Sequence, residues 1–193
     1  MKILIIYTHP NPKSFNHAIL ETAQQTLSAM GHEVHIRDLY AMQFQPVLSA
    51  TDFISLRQGV TPPDIAEEQK WISWANALIF IYPIWWSDRP AILKGWIDRV
   101  FHYGFAFEMT SQGLTGMLQH KVLIFQTAGA DQKSYQESGS ERVVHSTMKE
   151  GTLQFCGIQD IMCKTFYSVV STTDAIRKEM LEELKYILAQ QLR

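Results

Sequence analysis

Three short stretches carry residue types that could hold a ligand and act on it. They are His9 with Ser14-Phe15-Asn16, Pro83-Ile84-Trp85-Trp86-Ser87, and Thr127-Ala128-Gly129-Ala130 followed by Tyr135. In the first, Ser14 has the place of a helix cap. A helix that starts there offers free backbone N–H groups and the positive end of its dipole to a phosphate. The stretch has neither the G-x-G-x-x-G nor the Walker pattern, which excludes the usual dinucleotide and nucleotide-hydrolase loops. In the second, two neighbouring tryptophans cannot both face one core from extended backbone, so at least one should line a cleft and offer a flat apolar wall. In the third, Gly129 lets backbone approach a ligand closely and Tyr135 supplies a phenolic donor. Trp71, Trp74 and Trp96 fall at helical spacing and read as core.

The elements that must position these stretches follow from the apolar pattern. Lys2–Tyr7, Glu33–Asp38, Ala77–Tyr82, Lys121–Thr127 and Asp160–Phe166 read as strands, mostly short apolar runs rich in strand formers. Helices are predicted from Ser14 to about Met30, from Pro63-Asp64 to Trp74-Ala75, from Pro90 to Phe101, from about Glu141 to Phe155 and from Thr173 to Leu192. Ser87 or Asp88 is the expected cap of the third. Tyr40–Pro63 is a long connection with at most a helical turn at Ala50–Arg57. Phe105–Leu118 and Ala128–Ser140 read as loops. Strands alternating with helices imply one doubly wound α/β domain with a parallel sheet and helices on both faces, in the preferred order 2-1-3-4-5. In that order the loops after strands one, three and four meet at the switch point, on one edge of the sheet.

Composition narrows the function. A net charge of −2 over 193 residues provides no basic footprint for nucleic acid. The run Met1–Tyr7 is too short for a signal peptide or a membrane span, so a cytoplasmic protein is expected. Cys156 and Cys163 sit in apolar surroundings and read as buried, reduced thiols. His17, His32, His102 and His120 are scattered, so no metal site is expected.

The segment Pro90–Phe101, PAILKGWIDRVF, preceded by Pro83 and its tryptophan loop, resembles the NAD(P)H:quinone oxidoreductases of the flavodoxin-like fold, the DT-diaphorase type. Similar stretches span most of the chain: His9 with Ser14-Phe15-Asn16, Asp38-Leu39-Tyr40-Ala41-Met42 with Phe44 and Pro46, Pro63-Asp64-Ile65, Glu68-Gln69-Lys70, Thr127-Ala128-Gly129 with Tyr135, and Cys156-Gly157. The resemblance implies a flavodoxin-like sheet and a flavin held by the three loops, with Trp86 against its ring. Phe15, Asn16 and Arg177 resemble residues at the adenosine half of FAD, so FAD is expected and FMN is the alternative. Tyr135 aligns with the family's catalytic tyrosine and would meet the negative charge that builds at the pyrimidine end of the ring. Where the animal enzymes have a relay histidine, this chain has Glu141, with His145 one turn further on.

The function implied is two-electron hydride transfer from NAD(P)H through the flavin to a quinone, both substrates using one slot in turn. Trp86, Phe105, Phe107 and Met109 would stack on them. A homodimer with sites at its interface follows from the same resemblance. The alternative is a flavin-binding ancillary subunit regulating a potassium efflux system. A one-electron shuttle is disfavoured, since such carriers are usually strongly acidic.

Overall fold

A computed structural model describes residues 1–193. Its elements, in chain order, are β1 (Lys2–Tyr7), α1 (Phe15–Ala29), β2 (Glu33–Asp38), α2 (Ala50–Arg57), α3 (Pro63–Trp74), β3 (Ala77–Pro83), α4 (Ala91–Val100), β4 (Phe107–Thr110), β5 (Gly113–Gly116) and β6 (Lys121–Thr127). They continue with α5 (Gln132–Glu137), α6 (Ser140–His145), a π-helical segment (Ser146–Gln154), β7 (Ile161–Phe166) and α7 (Asp174–Gln191). The main sheet has five strands in the order β2-β1-β3-β6-β7, all parallel. Counting only these strands, this is the expected 2-1-3-4-5 order.

Alternation along each strand divides the core into two layers. Leu4, Ile6, Leu78, Phe80 and Tyr82 join α3, α4 and the π-helical segment on one face. Ile3, Ile5, Tyr7, Ile79 and Ile81 join α1 and α7 on the other. A period of two in a strand and burial on both faces explain why these runs are apolar throughout.

Helix α4 anchors the middle of the chain. Leu93, Trp96, Ile97 and Val100 are buried, and Lys94 bonds Asp98 at 2.6 and 2.7 Å across one turn. Its cap corrects the expectation: Pro90 occupies the N-cap position with no side-chain cap bond. Asp88 cannot serve there because its carboxylate accepts the N–H of Arg89 at 2.7 Å. Gly95 is required by close approach, since a Cβ there would lie 2.0 Å from the carbonyl oxygen of Pro46. The long connection thus lies flat on α4. Arg99, nearly buried, clamps it through Asp52 at 3.0 and 3.1 Å and Asp64 at 2.5 Å. Helix α2 itself begins with a reciprocal Ser49–Asp52 capping box.

Three predicted segments fold differently. Within Phe105–Leu118, β4 and β5 form an antiparallel hairpin, with Thr110 opposite Gly113 around the two-residue turn Ser111-Gln112. The glycines that suggest a loop serve turn and packing: Gly113 has φ +97°, and a Cβ on Gly116 would fall 2.2 Å from the backbone of Cys156 and Gly157. The predicted Glu141–Phe155 helix is α only to His145 and then widens into the π-helical segment. Ala128–Ser140 contains the short α5, started by Asp131, whose side chain accepts from the N–H of Ser134.

Candidate active site

At the carboxyl edge of the sheet the loops after β1, β3 and β6 enclose a cleft of about 460 Å³. Its lining includes His9, Ser14, Phe15, Asn16, Pro83, Ile84, Trp85, Thr127 and Gly129. Nine of the residues predicted from sequence therefore meet in one place, at the switch point between β1 and β3 where such sheets bind ligands.

One end of the cleft is built by α1. Ser14 caps it by accepting from the N–H of His17, while the N–H groups of Phe15 and Asn16 have no acceptor within the chain. Two adjacent free donors on a 15-residue helix make an anion seat. His9 Nδ1 lies 3.0 Å from the N–H of Asn11 and 3.2 Å from its carbonyl oxygen, so the ring is held on its own loop. Burial lowers the pKa of His9, so the neutral form persists toward lower pH.

Asn16 ties the first loop to the third. It is buried, its Nδ2 donates to Thr127 Oγ1 at 2.7 Å, and its Oδ1 has no partner. The hydroxyl of buried Thr8 is likewise unpartnered. A buried acceptor without a donor is costly unless a ligand satisfies it.

The second loop is a tight turn. Trp85 and Asp88 exchange backbone hydrogen bonds at 2.9 and 3.1 Å, and Trp86 and Ser87 between them have φ of +52° and +58°. Positive φ at both central positions is the geometry of a type I′ turn, which normally takes Asn and Gly. For a bulky aromatic it is strained, and such strain clusters at ligand sites. The turn separates the two tryptophans. Trp85 lines the cleft with its ring 5.9 Å from that of His9, whereas Trp86 projects wholly into solvent. Within this chain the side chain against the cleft is thus Trp85 and not Trp86, because the left-handed backbone turns Trp86 outward. The N–H groups of Trp86, Ser87, Gly129 and Ala130 donate to nothing within the chain, leaving two pairs of donors free at the mouth.

Other predicted residues lie apart from the cleft. Tyr135 stands on α5 with its hydroxyl unbonded and its ring edge-on to Tyr167, 5.8 Å away. Both rest on the small cluster of Ile84, Ala128 and Val144. Burial raises the pKa of Tyr135. Glu141 does not reach Tyr135; it accepts from the hydroxyl of Tyr167 at 2.8 Å. Burial first, and then Glu141, push the Tyr167 phenol up to about 12. His145 lies beside Glu141 and Tyr167 in a separate polar cavity. Phe105 and Phe107 pack against the larger core and line no part of the cleft; the hairpin sets Phe107 against Phe155, with ring centroids 5.1 Å apart.

Arg177 donates to the Val169 carbonyl at 3.0 Å and to Asp174 at 2.7 Å. With Lys13 it borders a second cavity of about 420 Å³, which shares Ser14, Phe15 and Val169 with the cleft. Val169 and Val170 also line the main cleft and were missed in the sequence. Their signal was an apolar pair inside the polar run Ser168–Thr173. No group of histidines, cysteines and carboxylates could hold a metal ion.

A switch-point cleft with a helix N-terminus, an aromatic wall and paired backbone donors lies on a doubly wound sheet of the flavodoxin-like order. A family model described as a flavodoxin-like fold matches residues 1–188. An uncharacterized NAD(P)H oxidoreductase of Haemophilus influenzae is 35% identical over 184 residues, covering 94% of this chain and 91% of its own. NAD(P)H dehydrogenase (quinone) 1 of Cavia porcellus is 33% identical and covers 93% of this chain and 73% of its own. The solved NAD(P)H:quinone oxidoreductase of Methanothermobacter marburgensis is 32% identical with a TM-score of 0.87, covering 96% of this chain and 94% of that one. This chain belongs to the NAD(P)H:quinone oxidoreductase family of the flavodoxin-like fold and is an oxidoreductase. No helix is long and apolar enough to cross a membrane.

Proposed function

We propose that the chain is a flavin-dependent NAD(P)H:quinone oxidoreductase working by two-electron transfer. One observation carries this reading. Three pairs of unpaired backbone donors, at Phe15 and Asn16, Trp86 and Ser87, and Gly129 and Ala130, surround one cleft beside the orphan carbonyl of Asn16. A phosphate, a polyhydroxylated linker and a polar-edged ring together match that set. When bound, a flavin would supply the hydride chemistry that links NAD(P)H to a quinone using the same slot afterwards.

The chain's own groups act around it. Phe15 and Asn16 would hold the phosphate by N–H, and the His9 ring adds a donor there. Asn16 Oδ1 accepts from a linker hydroxyl. The free N–H groups of Trp86 and Ser87 and of Gly129 and Ala130 would donate to the polar edges of the ring, and Trp85 would exclude water from the cleft. Tyr135, whose hydroxyl is free, is the donor to charge developing at the pyrimidine edge. The cavity beside Lys13 and Arg177 continues past the phosphate seat and has room for an adenosine half, which favours FAD over FMN.

A homodimer completes the reading. Val47, Phe53, Ile54 and Val60 on the long connection, and Tyr103, Met109, Leu114 and Met117 on and around the hairpin, are large apolar side chains left exposed. Phe105 and Phe107, remote from their own cleft, and the outward Trp86 would then contact substrate or partner across the interface.

The test is an anaerobic visible spectrum of the purified protein, with NADPH and then a benzoquinone added. Bleaching of the flavin band by NADPH and full recovery with quinone is the expected result. A bound flavin that stays oxidised would favour the regulatory role instead, and a protein that takes up no flavin refutes the proposal. Chromatography of the released cofactor decides FAD against FMN, and light scattering of the eluting peak decides the dimer.

A further inference from the structure

The parallel sheet ends at β7, whose one partner strand is β6. The N–H of Val122 bonds the carbonyl of Asp160, and the N–H of Ala128 bonds that of Phe166. In a parallel ladder successive residues turn their backbone groups to opposite sides. Met162 and Lys164 therefore also face β6, while Ile161, Cys163 and Thr165 turn their N–H and C=O groups outward. None of those three makes a backbone hydrogen bond with a loop or a helix. Such an open row of donors and acceptors is a template for another strand.

A cavity of about 380 Å³ runs along this edge. Cys163 and Thr165 lie on its floor, Glu141 of α6 on one wall, and Met180 and Glu183 of α7 on the other. It shares no lining residue with the flavin cleft. A groove with a strand edge as floor and a helix on either side fits a chain in extended conformation. Main-chain bonds to the floor give affinity, and alternate side chains meet the two walls. The charges choose the occupant. Lys164 is held by Glu183 in an ion pair. Glu141 has only the neutral hydroxyl of Tyr167, at 2.8 Å on one of its two oxygens. A basic side chain on the α6 side complements that carboxylate, and an apolar one on the α7 side lies on Met180. A second copy of the chain is a poorer occupant, because joining two β7 edges about a two-fold axis brings two Glu141 side chains to one side of the sheet.

We propose that the β7 edge takes up an extended segment of a partner protein as a sixth strand, with a basic residue toward Glu141 and apolar neighbours toward Met180. The proposal does not rest on the flavin reading.

The probe is the peptide acetyl-Thr-Val-Arg-Val-Thr-amide, titrated into the full-length protein and followed by NMR. Saturation should slow hydrogen exchange of the Cys163 and Thr165 amides by about tenfold or more. Of two analogues N-methylated at alternate residues, one in each frame, one should bind about tenfold more weakly and the other like the parent, because only one frame bonds the edge. A Glu-centred analogue should bind more weakly than the parent, and Glu141→Gln should erase that preference. Cys163→Pro removes an outward N–H at an edge position that tolerates proline. It should weaken the parent peptide by about tenfold, and it keeps the test decisive if Glu141→Gln does not fold. Three results overturn the proposal: N-methylated analogues that bind alike, Arg and Glu peptides of equal affinity, or exchange at Cys163 and Thr165 unchanged at about 1 mM peptide. So does self-association that Cys163→Pro abolishes, which would make a second copy the occupant of the edge.

Discussion

Replacing Asn16 by leucine separates a ligand-binding residue from an ordinary core amide. In the flavin-free protein the substitution removes the hydrogen bond from Nδ2 to Thr127 Oγ1 at 2.7 Å and leaves that buried hydroxyl without its partner, at a cost of about 1–3 kcal/mol. It also removes the unpartnered buried Oδ1, which costs the fold about 1–3 kcal/mol as it stands. The near-isosteric leucine keeps the packing volume. The two terms are of one size and opposite sign, so the balance is near zero. In a domain of this size the melting temperature should stay within roughly 4 °C of the wild type. Flavin affinity should fall. Losing an acceptor for a buried ligand hydroxyl costs about 1–3 kcal/mol, a tenfold to hundredfold rise in Kd. Thermal denaturation of flavin-free protein and a fluorescence-quenching titration with FAD measure the two effects. A nearly unchanged melting temperature with weakened flavin binding is the expected outcome. A melting temperature lowered by roughly 5 °C or more, with flavin affinity unchanged, would refute the reasoning and make Asn16 a structural amide.

Other perturbations test the frame around the site. Ser87→Gly relieves a left-handed backbone at φ +58° and should stabilise the protein by about 1 kcal/mol, or roughly 2–4 °C by calorimetry; a lower melting temperature would show that the turn is not strained there. Asp52→Asn leaves Arg99 with Asp64 as its remaining ion-pair partner and should cost about 3 kcal/mol in urea denaturation at pH 7. The Arg99 hydrogen bond holds the Asp52 pKa below 3.8, so its contribution is full above that pH and is lost as pH falls through the folded value. The gap between wild type and Asp52→Asn should accordingly close in acid, and a gap independent of pH would count against the clamp. Burial puts the His9 pKa below 6.5. Between the two values the unfolded chain binds the extra proton, so this group makes flavin-free stability rise with pH across that window. A phosphate beside the ring favours the imidazolium, so flavin should shift the NMR titration of His9 upward; an unmoved midpoint would place the phosphate elsewhere.

Much of the scaffold was determined by local sequence. The strands are readable because burial on both faces demands continuous apolar runs, as in Ala77–Tyr82. Helix α1 is readable because Ser14 and the Ile19, Leu20, Ala23, Leu27 spacing act within a turn or two of each other. With strands alternating with helices, the doubly wound order and the meeting of three loops follow from chain connectivity and its handedness. Only tertiary structure decided which side chains face the cleft. Nothing local separates Trp85 from Trp86; the assignment depends on a left-handed turn closed by Trp85 and Asp88. The hairpin was hidden because Gly116 reads as a breaker until the Cys156-Gly157 backbone, forty residues on, is seen against it. Glu141 faces Tyr167 and not Tyr135 because β7 brings Tyr167 under α6, a pairing no spacing encodes. Arg89 belongs to a short polar turn by sequence and is buried against Met148 of the π-helical segment. Short-range patterns specify elements because backbone hydrogen bonding and side-chain periodicity are local, while a site is made of contacts between residues far apart in sequence, which exist only once the sheet has assembled.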